Sequence, residues 1–312
     1  MTPTDSQIRK IGELVQGSAF SGVPLSRFTS FKIGGPADVL AEPCTVVELT
    51  GLLRYLAREG LPYIVLGSGT NVLFPDAGFR GVVVRTVSIS GFEVIENGSD
   101  HASIRAAAGM PLPSLVNRTS KLAWKGLEPL WGIPGSFGGA IAGNAGVPEA
   151  CIGDFLVEID LLTPQGEAMK LVGEKIDYEY RHMKIPSRHV ITGGTLRLKR
   201  GTPEAIRAEI AAAKRRRERR QPVDKPSAGC IFRNPAPDKP AGLLIDGLGL
   251  KGMAVGGAQV SEVHANFIVN RGNATASDVL ELIRLIRERV RQAENLELEL
   301  EIRMFDEEVP YD

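Results

Sequence analysis

What the chain lacks narrows it first. It has only three cysteines, Cys44, Cys151 and Cys230, widely spaced and odd in number. No CxxC pair is among them, which argues against a zinc site or a disulfide framework and fits a reducing compartment. It has no surplus of either charge, with 37 basic and 37 acidic residues, so no global field draws in nucleic acid or an acidic membrane surface. No run approaches the ~18 apolar residues of a membrane span, and residues 1–17 have no apolar centre of signal-peptide length. There is no internal repeat and no low-complexity segment. The expectation is a cytoplasmic protein, a monomer, with no bound metal, no nucleic-acid partner and no membrane insertion. At 312 residues, 43% hydrophobic and 24% charged, it is long enough for two or three ordinary globular domains.

Glycine is present in quantity, 35 residues, and it is concentrated. From Trp131 to Gly146 the sequence reads WGIPGSFGGAIAGNAG, with glycine at 132, 135, 138, 139, 143 and 146. Glycine in bulk weakens helices and strands, so a folded chain keeps it where the backbone turns with positive φ or touches something closely. Ser136 and Asn144 add small hydrogen-bonding side chains, without charge. The stretch reads either as a cradle of backbone N–H groups for an anion such as the pyrophosphate of a dinucleotide, or as a close crossing of packed elements. A second loop, Gly67-Ser68-Gly69-Thr70-Asn71, follows a buried strand expected over 63–66. The VLFP that comes next does not open a helix, and the Lys-Ser/Thr of a P-loop is missing. A glycine loop between strands still presents N–H groups to a phosphate; the alternative is a tight β-turn. At neither loop is a phosphate-binding helix expected.

Periodicity supplies the rest. Ile8, Ile11, Leu14 and Val15 mark a short helix. Thr45 and Glu48 form a capping box for a helix that buries Leu49, Leu52, Leu53 and Leu56 and stops at Gly60. Strands are expected over 39–43, 81–85 and 103–108, a helix over 113–122, and paired strands over 155–162 and 190–198. Residues 178–183 read as a polar-aromatic loop. Composition shifts near Gly201, where a helix over 203–221 ends in the basic run 214–220. Such a run is usually a solvated face or a partner for the helix C-terminus; it suits a phosphorylated ligand if it faces a cleft. A third block holds a loop with a strand at 226–235, an apolar element at 242–246 and a strand at 265–270. A helix capped by Thr275 and Asp278 follows, striped with Val279, Leu282, Ile283, Ile286 and Val290. Alternation over 297–303 gives a half-buried strand. The fold class is α+β, in three subdomains, and the residues alone reach nucleotide or dinucleotide binding by backbone.

Eight motifs in order over nearly the whole chain carry more: TSFKIGGPAD at 29–38, LGSGTN at 66–71, GLEPLWGIPGSFGGA at 126–140, Tyr180-Arg181, Gln221-Pro222, SAGCIFRNP at 227–235, HANFIVN at 264–270 and LELEI at 298–302. Together they resemble the UDP-N-acetylenolpyruvoylglucosamine reductase family, flavoproteins that make UDP-N-acetylmuramate for peptidoglycan. The resemblance implies the FAD-binding fold of the p-cresol methylhydroxylase and vanillyl-alcohol oxidase type, plus a C-terminal α+β substrate domain. The division expected is 1–85 and 86–201 for two FAD-binding subdomains and 202–312 for the substrate domain, with a last strand near 297–305 returning to the flavin site. It implies FAD as bound cofactor, NADPH as co-substrate and a UDP-sugar as substrate, with hydride going to C3 of the enolpyruvyl group and a proton to C2.

Carried over position by position, the proton donor is Cys230, where most relatives have serine. A thiol is the stronger acid and mostly protonated at neutral pH; thiolate formation beside cations is the hazard, and a nearby carboxylate opposes it. Arg181 matches the arginine that holds the substrate carboxylate and stabilises the enolate. Glu301 matches the carboxyl group that works with it, although Glu297 and Glu299 share its alternation and only the motif separates them. The pyrophosphate of FAD is expected against Gly67, Ser68, Gly69, Thr70 and Asn71 and against Pro134, Gly135, Ser136, Gly138 and Gly139, with Asn144 and Gly146 helping. Tyr180, Asn234, Lys251 and the basic pair Arg219 and Arg220 are candidates for the substrate side. His264 is expected to support the following strand. Met183 stands where the family usually has serine, and the short interval from Arg181 to Val190 places the chain in the class without a tyrosine-bearing lid. The rival readings are another FAD-dependent oxidoreductase of the same fold and a non-catalytic flavin- or nucleotide-binding protein.

Overall fold

A computed structural model describes residues 2–16 and 18–305. Three sheets follow one another along the chain. The first block holds β1 (Ala19–Pro24), β2 (Pro36–Ala41), β3 (Tyr63–Leu66), β4 (Val72–Leu73) and β5 (Phe79–Arg85), sheeted in the order β1-β2-β5-β3. Pairing is parallel at β2-β5 and β3-β5. Helices α1 (Asp5–Leu14) and α2 (Val46–Glu59) lay Ile11, Leu49, Leu52, Leu53 and Leu56 on Val39, Ala41, Val82 and Val84. Burying each such side chain contributes about 1.5–3 kcal/mol. The N-cap of α2 is half of the expected box: Thr45 accepts from the Glu48 N–H, but the Glu48 carboxylate reaches past Thr45 to the N–H of Cys44.

The second block has ten strands: β6 (Phe92–Asn97), β7 (His101–Ala107), β8 (Trp124–Lys125), β9 (Gly146–Val147), β10 (Ala150–Cys151), β11 (Leu156–Leu162), β12 (Ala168–Val172), β13 (Tyr178–Glu179), β14 (His182–Met183) and β15 (Val190–Arg200). Its antiparallel sheet runs β12-β11-β15-β7-β6, with β8 attached to β15. Helices α3 (Leu112–Lys121) and α4 (Phe137–Ala142) cover it through Leu115, Val116, Phe137 and Ile141. Two hairpins, β9-β10 and β13-β14, stand outside the sheet. The second corrects the loop expected at 178–183: Tyr178 pairs with Met183 and Glu179 with His182. Helix α4 is a second correction, because a short helix does form inside the glycine stretch 131–146, with Ser136 as N-cap accepting from the Gly139 N–H.

The third block contains α5 (Pro203–Arg220), β16 (Ser227–Cys230), α6 (Ala241–Gly247), β17 (Ala254–Val255), β18 (Ala258–Val260), β19 (Phe267–Asn270), α7 (Ala276–Glu294) and β20 (Arg303–Met304). Its sheet runs β16-β19-β18-β17, and α7 buries the stripe Val279, Leu282, Ile283, Ile286 and Val290 against it. Both halves of the α7 capping box form, and Asp76 of the first block adds its carboxylate to the N–H groups of Ala276 and Ser277. Helix α5 packs on α3 and on the 3₁₀ turn Glu128–Leu130 of the second block. The alternation over 297–303 is present as burial, with Leu298 and Ile302 inside, but as pairing only at Leu300 and in β20, which joins β4 in parallel.

Candidate active site

The two glycine loops touch. Thr70 Oγ1 donates to the carbonyl of Pro134 at 3.4 Å, and Gly67 lies against the Ser136 side chain. Gly69 has φ +66° and no room for a Cβ beside the Phe28 carbonyl; Gly135 has φ +127° and faces Thr70. These are conformations in which a side chain is strained. Among the described residues, no protein acceptor takes the backbone N–H of Gly67, Ser68, Gly69, Thr70, Asn71, Gly135 or Ser136. None of these seven residues is exposed. Gly69 and Ser136 are buried and the other five half-buried; buried N–H groups are nearly always paired, and a cluster of unpaired ones at a contact between two loops can receive an anion that supplies the acceptors. The loop at 67–71 is also tied to the third block. Asn71 donates from Nδ2 to the Glu301 carbonyl at 3.1 Å and accepts at its own carbonyl from the Arg303 N–H at 3.0 Å.

Three distant segments meet next to this tie. Tyr180 and Arg181 form the tip of the β13-β14 hairpin, and Arg181 holds φ +60°, which costs a non-glycine residue about 1–2 kcal/mol. Its Nη1 donates to the Gly146 carbonyl at 2.8 Å. Its Nε lies 3.0 Å from Glu301 Oε1 but off the line of the N–H, an ion pair that leaves this buried donor unsatisfied. The Tyr180 ring lies 5.2 Å from the guanidinium. Burial pushes the Glu301 carboxyl above the usual range, and Arg181 and Arg233 draw it part of the way back. Cys230 ends β16 opposite Phe267. Burial first and the Glu301 charge second push its thiol up to about 12, against the pull of Arg181 and Arg217. The arrangement is therefore a protonated thiol, a buried carboxyl and two guanidinium groups beside a backbone cradle for an anion. Such a set can hold a carboxylate, stabilise negative charge that develops on it and deliver one proton.

A family model described as an FAD binding domain matches residues 37–171, and one described as the UDP-N-acetylenolpyruvoylglucosamine reductase C-terminal domain matches 221–305. A UDP-N-acetylenolpyruvoylglucosamine reductase from Moorella thermoacetica is 44% identical over 299 residues, covering 95% of this chain and 97% of that one. This chain belongs to the UDP-N-acetylenolpyruvoylglucosamine reductase family. The reductase of Syntrophotalea carbinolica is 39% identical over 95% and 97% of the two chains. The crystal structure of the UDP-N-acetylenolpyruvylglucosamine reductase from Thermus caldophilus matches with a TM-score of 0.76 at 36% identity, over 91% of this chain and 98% of that one. The fold is α+β, an FAD-binding domain followed by the reductase family's C-terminal domain.

Within this reductase fold the remaining candidates separate by what their polar atoms already do. Gly138 gives its N–H to the Ala108 carbonyl and Gly139 gives its own to Ser136. Asn144 donates from its side chain to the Glu179 carbonyl, accepts there from the Gly153 N–H and gives its backbone N–H to the Ile141 carbonyl, so its polar groups are already engaged within the protein. Gly146 is committed to Arg181 through its carbonyl. Asn234 caps α6 by accepting from the Ala241 N–H, and its own backbone N–H approaches the Tyr180 hydroxyl. Lys251 pairs with Asp246 at 2.8 Å. His264 accepts at Nδ1 from the Asn266 N–H, which braces the turn into β19. Burial, then Lys251, hold its imidazole below the usual range, with Arg220 adding to the effect. Arg220, Lys251 and His264 thus share one neighbourhood, while nothing ties Arg219 to it. Met183 is buried in the core of the second block.

Two residues of the same cluster, one near the thiol and one near Glu301, were not among those singled out from the sequence. Arg217 lies across Gly132, close enough to Cys230 that its guanidinium favours the thiolate against the burial that opposes it. It was hidden in a run of basic residues, and only the turn of α5 decides which of them faces inward. Arg233 keeps a buried Nε without a partner beside Glu301. Its place in the SAGCIFRNP motif was the available signal.

Proposed function

We propose that this protein is an FAD-containing, NADPH-dependent reductase that converts UDP-N-acetylglucosamine enolpyruvate to UDP-N-acetylmuramate in peptidoglycan precursor synthesis. The observation that carries the reading is the meeting of Arg181, Cys230 and Glu301 beside the cradle of unpaired N–H groups. The cradle fits a pyrophosphate: Gly67 to Asn71 with Gly135 and Ser136 would hold it, and Pro134, Gly138, Gly139, Asn144 and Gly146 would shape the wall. FAD bound there supplies the hydride for C3 of the enolpyruvyl group, having taken it from NADPH.

The protein's own groups do the rest. Arg181 meets the substrate carboxylate with the donor that Glu301 leaves unsatisfied, and so lowers the energy of the enolate as its charge grows. Cys230 gives the Sγ proton to C2, which completes the addition across the double bond. Glu301 keeps that proton on sulfur until it is needed, because its charge opposes the thiolate, and it holds Arg181 in place. Tyr180 shields the pair. Arg220, Lys251 and Asn234 line the UDP-sugar side, with Arg217 between that side and the thiol. The units at work are 1–85 and 86–201 around the cofactor and 202–312 for the substrate, with 297–305 returning to the first.

The test is anaerobic. NADPH should bleach the bound flavin, and UDP-N-acetylglucosamine enolpyruvate should then restore the yellow. A bleached flavin that this substrate leaves colourless means another oxidoreductase of the same fold; protein purified without flavin absorption means a non-catalytic binder.

A further inference from the structure

One group of side chains stands a step behind the site and has no part in the reading above. Asp154 lies in the 3₁₀ turn Ile152–Phe155. Its carboxylate accepts from the Cys151 N–H at 2.8 Å, the Tyr178 hydroxyl at 3.0 Å and the Cys151 thiol at 3.3 Å. These partners sit on the two different hairpins. Cys151 is paired with Gly146 across β9-β10. Tyr178 begins β13, which leads to Arg181, and its ring lies on Gly153. Asn144 adds a second strut between Gly153 and the Glu179 carbonyl. Arg181 closes the ring by donating to the Gly146 carbonyl. Both supports of the guanidinium, the hairpin it grows from and the carbonyl it leans on, thus meet at one carboxylate, with Asn144 as the second tie. Burial opposes the Asp154 charge, but its N–H, thiol and hydroxyl donors hold the carboxyl below the usual range. Burial and then Asp154 push the Tyr178 hydroxyl up to about 12. Neither group changes charge near neutral pH, so the strut is constant there.

We propose that Asp154, acting through Tyr178 and Cys151, is a positioning residue for the reaction: it sets the hairpin that aims Arg181 at Glu301 and the substrate carboxylate. This rests on the role given to Arg181 above. A tip released from the network is free to leave its left-handed backbone at Arg181, and with it the ion pair.

Tyr178→Phe in the holoenzyme removes one donor and keeps the ring. NADPH should bleach its flavin at the wild-type rate, while reoxidation by the enolpyruvyl substrate slows about tenfold. In an Arg181→Ala background the same change should add nothing, since both act through one group. Trypsin should cut after Arg181 several times faster in Tyr178→Phe than in wild type, which reports the hairpin without any turnover. If Tyr178→Phe does not fold, Cys151→Ser, which keeps a donor to Asp154, should reoxidise faster than Cys151→Ala. The proposal fails if Tyr178→Phe slows reoxidation equally in both backgrounds, or if it matches wild type in reoxidation and in resistance to trypsin. An Arg181→Ala enzyme that reoxidises at the wild-type rate removes the reading of Arg181, and this proposal with it, whatever trypsin shows.

Discussion

Cys230 keeps its proton through the neutral range because burial and the Glu301 charge oppose the thiolate more than Arg181 and Arg217 favour it. Two predictions belong to this residue. Cys230→Ala should retain FAD and be bleached by NADPH, yet reoxidise about 10²–10⁴ times more slowly, the usual contribution of a placed acid; Cys230→Ser should keep substantial activity. Stopped-flow absorbance separates the two half-reactions, and normal reoxidation of the alanine variant removes the thiol from the mechanism. The second prediction concerns stability. The folded thiol holds its proton to about 12 and the unfolded one only to near 9.0. Between those values the folded state binds more protons, so stability is complete below pH 9 and falls as pH rises toward 12. Urea midpoints at about pH 8 and about pH 10.5 should therefore drop further in wild type than in Cys230→Ser; equal drops would show that the thiol is not so perturbed. At this scale the sequence was legible only through motifs. The alternation at 297–303 offers three glutamates, and what chooses Glu301 is depth: its side chain is 16% exposed beside Arg181, whereas that of Glu299 is 78% exposed beside Arg233.

Among the elements, the cradle makes the sharpest demand on backbone geometry. Gly69→Ala would place a methyl group on the Phe28 carbonyl at φ +66°, so the variant should purify with less flavin per mole of protein and a lower melting temperature. A variant that binds flavin normally would place the anion elsewhere. Strands with β-branched runs and helices with caps were readable from local pattern. The β13-β14 hairpin was not, because its turn uses Arg181 where a hairpin signal would have glycine or asparagine. Helix α4 was not, because its glycines argue against helix and tertiary bonds from Gly138 to Ala108 and from Phe137 to Met110 override them. The strand at 297–303 was readable as burial but not as pairing, since only part of it finds a neighbour.

For the whole molecule, the decisive contacts run between blocks. Ser30 donates to the Ser227 carbonyl, Asn270 to the Phe31 carbonyl, and Asp76 caps α7. Asn71 joins the glycine loop at 67–71 to the segment carrying Glu301. Asn71→Ala should therefore lower flavin retention and slow reoxidation together, although neither cofactor nor acid is removed; loss of one without the other would mean the two parts are independent. None of these contacts was legible, because side chains so far apart in sequence leave no local pattern. No helix among the described residues is long and apolar enough to cross a membrane.

The bond between Asn71 and the Glu301 carbonyl spans 230 residues. At roughly 5–20 residues per second, the ribosome needs roughly 10–50 s after making the glycine loop at 67–71 before its partner segment exists. During that interval the first two sheets can form, but one side of the cradle has nothing to lean on. If the cradle holds FAD as proposed, the growing chain carries it half-built, and tight loading of FAD should come late in synthesis, as the segment that carries Glu301 arrives.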